Sequence, residues 1–161
     1  MQSSEIGKLI CEELATLLLP LGYKRESFLF SRPSEDLIHL IQLQGSRSNT
    51  AALSKHTVNV AVWVPALSPE EKLSVPGAHW QNRLGSLCHE RTDLWWQSSS
   101  AETAGIAASE ITSRDKHFAL PSLAELANSR ALLSLWQSGL SPGLTQFQAT
   151  RFCGALEASL A

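Results

Sequence analysis

The chain has 161 residues, 43% hydrophobic and 17% charged, with a formal net charge of −2. That length suits a single domain over residues 1–161 with a core that needs no staples, and the composition excludes a disordered acidic segment and a membrane protein. Thirteen Lys and Arg against 15 Asp and Glu give no basic field to attract phosphate backbones, so nucleic acid is not an expected partner.

The chain opens MQSSEIGK and reaches Leu17 only after Glu12 and Glu13, which is neither the basic start nor the unbroken apolar run of a signal peptide. No later stretch approaches the roughly 18 apolar residues of a membrane span. Cys11, Cys88 and Cys153 are odd in number and far apart, which predicts free, reduced thiols and a cytoplasmic location.

Ile6, Leu9, Ile10, Leu14, Leu17, Leu18 and Leu21 recur at helical spacing and predict an amphipathic first helix, capped by Ser3 or Ser4 and ended by Pro20 and Gly22. Three runs then read as an antiparallel β-meander: residues 23–32 (YKRESFLFSR), 37–44 (LIHLIQLQ) and 57–64 (TVNVAVWV). In the third run Val58, Val60, Val62 and Val64 face one way, towards the first helix, and Thr57, Asn59, Ala61 and Trp63 face the other. The connection from Gly45 to His56 is long for a hairpin. Pro65, Pro69, Pro76 and Gly77 then break the chain, Trp80, Leu84 and Leu87 suggest a short helix, and residues 93–97 (DLWWQ) a further strand. Helices are predicted over residues 101–117, 122–137 and 144–160, the last starting from Ser141-Pro142-Gly143 with Leu144, Phe147, Phe152, Ala155, Leu156 and Leu160 in one stripe. The expected fold is α+β: an antiparallel meander sheet packed against an N-terminal helix and C-terminal helices.

The chain has five histidines but no HExxH, CxxC, GxSxG or phosphate-loop motif, so no metal, cofactor or catalytic residue is assigned. A polar group remains: Gln42, Gln44, Ser46, Arg47 and Asn59, with His79, Arg83 and Arg91 as neighbours that tertiary contact can supply. Amides donate and accept and Arg adds a planar donor fork, so the group can grip a carboxylate or phosphate; equally, it can satisfy loop carbonyls and cap the sheet rim. A catalytic version needs His79 or His56 near neutrality as a general base, held by Asp93 or Glu90. Alternation sends Trp95 and Trp96 to opposite faces, one towards the core and one towards a partner surface, while most of the five tryptophans are expected to be structural.

Taken in order, LGYKR, FLFSR, LIHLIQLQGSRS, TVNVAVWVP, HWQNRLG, DLWW and FALPSLAEL resemble the bacterial domain-of-unknown-function 4304 family over about residues 5–127. The resemblance implies an α+β fold with an antiparallel sheet flanked by helices, and it brings no active site to transfer. The expectation for function is a non-enzymatic protein-binding module, by analogy an immunity protein that covers a toxin's active site. The alternative is a small-molecule binder or hydrolase-like enzyme with Gln44, Arg47, Asn59, His79 and Arg83 around a pocket.

Overall fold

Ile6, Ile10, Cys11, Leu14 and Leu18 are all buried along one side of helix α1 (Ser3–Leu18), as their three- and four-residue spacing requires. The computed structural model describes residues 1–161. The cap is Gln2, not Ser3 or Ser4, and its backbone N–H donates to the Glu5 carboxylate at 2.7 Å. Pro20 lies in a tight 3-10 turn, and Gly22 at φ 94° reverses the chain. Leu19 and Leu21 are exposed, so the buried stripe stops at Leu18.

Six antiparallel strands make the sheet: β1 (Lys24–Glu26), β2 (Leu29–Ser34), β3 (Leu37–Gly45), β4 (Ser54–Trp63), β5 (Trp80–Arg83) and β6 (Trp96–Ser98). The first five pair in chain order, and β6 shares with β5 the outer edge of β4, against residues 54–56. Residues 23–32 are therefore two strands, not one. The chain turns back at Ser27, which takes φ 56°, and Ser-Phe carries none of the Gly or Asn chemistry that announces such a turn. Residues 80–83 form a strand in place of the expected helical start, because the free edge of β4 offers them hydrogen bonds; only Leu84–Leu87 coils, as α2. The strand expected from Asp93 begins at Trp96, since the Leu94 carbonyl is taken by the Thr57 hydroxyl at 2.8 Å.

Alternation places Phe30, Leu37, Ile41, Leu43, Val58, Val60 and Val62 on one face, and α1 covers it together with α3 (Ala101–Arg114). Helix α3 is capped by Ser100, whose hydroxyl accepts from the Thr103 N–H, and buries Ala104, Ala107, Ala108 and Ile111, small enough for α1 to approach closely. No break follows His117. Instead α3 runs through a wide π turn at Asp115–Ala119 into α4 (Leu120–Glu125). The extra residue lies just ahead of Pro121, whose ring lacks an N–H and would press on the carbonyl four residues back in a regular helix. The break comes at Asn128, whose side chain accepts from the Ala131 N–H to start α5 (Ser129–Gln137). Helix α6 (Gln146–Leu160) is capped by Thr145, with Gly143 at φ 79° in the turn before it. Its apolar stripe holds only in part: Leu156 is fully buried but Phe147 is 74% exposed.

One cluster of 29 buried residues reaches from Ile6 to Leu156 between the sheet and the helices. Each Leu, Ile or Val fully buried there contributes about 1.5–3 kcal/mol. The sheet's other face is covered only at one end, where Val75 and Ala78 close over Leu40, Ala61 and Trp63. Beyond that cover the face turns polar. No helix is long and apolar enough to cross a membrane.

Candidate functional site

Register decides which polar side chains meet on the uncovered face. Gln42 stands opposite Asn59 and Gln44 opposite Thr57 across β3 and β4, and Asn59 stands opposite Arg83 across β4 and β5. Asn59 is the hub: its Nδ2 donates to Gln44 Oε1 at 2.8 Å and reaches Gln42 Oε1 at 3.4 Å. With both glutamine oxygens turned to Asn59, the Nε2 donors of Gln42 and Gln44 stay available.

Arg83 extends the cluster. Its guanidinium carbon lies 5.3 Å from the centroid of the Trp95 ring, and Trp95 Nε1 donates to Asp93 Oδ2 at 3.1 Å. The other Asp93 oxygen is 4.0 Å from Arg83 Nε, a loose ion pair in solvent. Residues 92–95 are held there from two sides. Thr57 binds the Leu94 carbonyl, and Gly85 leaves no room for a side chain, since a Cβ would lie 2.2 Å from the Thr92 oxygen and 2.6 Å from the Leu94 nitrogen. Next to Arg83 is a recess of about 200 Å³ lined by Asn59, Val75, Gln81, Asn82, Arg83 and Gly143. Arg83 Nη1 is shut off from solvent and donates to nothing.

Of the residues singled out in the sequence, Gln42, Gln44, Asn59, Arg83 and Trp95 come together here. Ser46 and Arg47 lie in the turn after β3, where the Ser46 and Ser48 hydroxyls bond each other at 2.9 Å and Arg47 is exposed. The rest of that connection is bound up in itself: Asn49 accepts from the Lys55 N–H and donates to the Lys55 carbonyl and to the Ser3 hydroxyl. Arg91 is exposed in the turn after α2. Trp96 faces the helices opposite His56 and is buried, as are Trp63, Trp80 and Trp136. His79 is fully buried, its Nδ1 accepting from the Val64 N–H at 2.9 Å and its Nε2 bonded to the Ser68 hydroxyl at 3.1 Å. Gly85 and Lys55 were missed, and Asp93, expected beside a histidine, stands instead with Trp95 and Arg83. Lys55 shares the face of Thr57 and Asn59, and the same alternation finds it once β4 is extended back to Ser54.

Arg, amide and indole groups bind, orient and exclude water; none of them exchanges a proton near neutrality. Burial pushes His79 down to about 4 and also lowers His39 and His56. Asp93 is taken up by Trp95 and Arg83, and Glu90 by a bidentate pair with Arg114 at 2.8 and 2.9 Å, so neither carboxylate holds a histidine. Nowhere do three or more His, Cys, Asp or Glu gather as metal ligands. The three cysteines are unpaired, and burial pushes the Cys11 thiol up to about 11.

The family described as Domain of unknown function (DUF4304) matches residues 14–125, more than two-thirds of the chain. The match starts inside α1 and stops at the end of α4, so it contains every strand and the whole Gln42–Asn59–Arg83–Trp95 face. No curated protein and no solved structure matches the chain.

Proposed function

The chain belongs to the DUF4304 family, and from that premise we propose that it is a non-enzymatic protein-binding module whose docking surface is the polar face of its sheet. The partner in this proposal is a toxin or effector protein, neutralised by direct contact in a bacterial cytoplasm, which makes the chain an immunity protein. One observation carries the reading. Trp95 is the one tryptophan of five that is not buried, and it is spread over Arg83 beside the unspent glutamine donors. Tryptophan and arginine are the side chains that most often anchor a protein interface, and here each fixes the other before a partner arrives. Unpaired cysteines are in keeping with a reducing compartment.

Co-expression with a toxin encoded beside the gene tests the proposal. The wild-type chain is expected to protect the cell and to co-elute with the toxin. Trp95→Ala and Gln44→Glu, both on the exposed side of the sheet and the second keeping an oxygen for Asn59, are expected to weaken the complex at least about tenfold while leaving the melting curve close to wild type. Failure of the wild type to bind or protect against any neighbouring toxin refutes it, as does full binding by both folded variants.

A further inference from the structure

We infer that the recess beside Arg83 is a carboxylate subsite, and that it takes an aspartate or glutamate side chain from an acidic segment of the partner. The inference rests on the protein-binding reading of the same face and adds the chemistry of what docks there.

Size makes the first selection. About 200 Å³ is below the roughly 300–1,000 Å³ of sites that enclose a whole small molecule, yet it has room for a side-chain carboxylate. An occupant of that size enters as the tip of something larger. Charge makes the second. Arg83 is the only charged residue lining the recess, and its guanidinium makes no hydrogen bond within the chain, which leaves a permanent cation short of an acceptor. Asp93 does not fill the need: it approaches Nε at 4.0 Å, on the Trp95 side, and its second oxygen is engaged by the indole.

A planar monoanion matches a single guanidinium fork, whereas a phosphate dianion calls for more positive charge than one arginine already facing an aspartate provides. Around the recess the face continues to suit an acidic segment. The glutamine Nε2 donors lie alongside, and Lys55 projects from the same side of β4. Trp95 is stacked on Arg83 and holds the guanidinium in place, so the fork does not have to be ordered when the carboxylate arrives.

The test titrates the full-length, ¹⁵N-labelled chain with an end-blocked peptide of alternating Asp and Glu, with its Asn and Gln counterpart, and with inorganic phosphate. The readout is the Trp95 indole N–H resonance, assigned from Trp95→Phe. The acidic peptide is expected to move that resonance to saturation, and Arg83→Gln and the neutral peptide are each expected to bind at least tenfold more weakly. No saturable shift, an equal shift with the neutral peptide, or an unchanged affinity in Arg83→Gln overturns the inference. Tighter saturation by phosphate than by the peptide also overturns it, by identifying a different anion. These comparisons on the wild-type chain decide the matter even if Arg83→Gln does not fold. If the acidic peptide fails while Trp95→Ala still abolishes toxin binding, the carboxylate subsite falls and the docking face stands. If the peptide binds at Arg83 while toxin binding ignores the whole face, the docking proposal falls.

Discussion

Replacing Gly85 by alanine is expected to damage the fold and the proposed docking face together, because this glycine is where the two touch. An alanine Cβ would lie 2.2 Å from the Thr92 oxygen, 2.6 Å from the Leu94 nitrogen and 2.8 Å from the Leu94 side chain, and two of these three are backbone atoms that no rotamer change can move. Restoring ordinary contact distances requires α2 and residues 92–94 to separate by roughly 1 Å. Overpacking of this kind costs about 1–3 kcal/mol. The shift also draws the Leu94 carbonyl away from the Thr57 hydroxyl, now at 2.8 Å, and losing that hydrogen bond adds about 1 kcal/mol. The sum, about 2–4 kcal/mol, corresponds to a melting point lowered by roughly 5–15 °C for a domain of this size. Residues 92–94 lead into Trp95, so the indole should also leave its position over Arg83 and change its N–H resonance at a temperature where the variant is still folded. Thr57→Val is the control: it removes the hydrogen bond without the clash and should cost only about 1 kcal/mol. A Gly85→Ala variant that melts within about 2 °C of wild type, with an unshifted Trp95 indole, would refute this account of the site's support.

Two further predictions concern pH. His79 is neutral in the fold, and protonating the Nδ1 that accepts from Val64 would break that bond inside an aromatic cage formed with Trp63 and Phe152. Its pKa of about 4 lies below the ordinary 6.5, so the unfolded chain takes up the proton first: the stabilisation is complete above pH 6.5 and is lost as pH falls towards 4, by up to about 3 kcal/mol. His79→Asn should be less stable at pH 7.5 but flatter in its urea midpoints between pH 6.5 and 4, and a slope as steep as wild type would contradict the assignment. Asp115 runs the other way. It is fully buried with neither oxygen partnered, and burial raises its pKa well above the ordinary 3.8, so its favourable neutral form is lost as pH rises and the unfolded chain ionises first. The stability of Asp115→Asn relative to wild type should therefore improve between pH 3 and pH 7; a constant difference in urea midpoint at the two values would rule this out.

Periodicity made the layers legible. The valines of β4 and the leucines and isoleucines of α1 each repeat at a spacing that only one kind of element satisfies, and they are buried against each other. Boundaries were legible where a side chain announces them, as Pro20 and Gly22 do, and illegible where the deciding contact is distant. Ser27 adopts a positive φ because β2 must fold back on β1, and Trp80 joins a strand because β4 has a free edge. Nothing local to either residue says so. The π turn is an intermediate case: Pro121 was visible, but whether the helix would stop or widen depended on how well α1 and the sheet hold Ile111 and Ala119 on either side of it.

The candidate site divides along the same physical line, and the division bears on what the family holds in common. Gln42, Gln44 and Asn59 were readable as one face because strand alternation and a simple hairpin register bring them opposite each other. Arg83 and Trp95 meet for a less local reason: β5 and β6 share one edge of β4, and the residues between them fold back over Gly85. All of these lie within residues 14–125, the family's segment. The recess is different. One of its walls is Gly143, beyond that segment, where a Cβ would come within 2.5 Å of the Gln81 side chain and where Gln81 donates its backbone N–H to the Pro142 carbonyl. The exposed donor surface thus belongs to the family fold, while the turn ahead of α6 closes the space beside Arg83. Under the proposed reading, a binding function common to the family would rest on the face, and the choice of what enters the recess would rest on the segment that follows it.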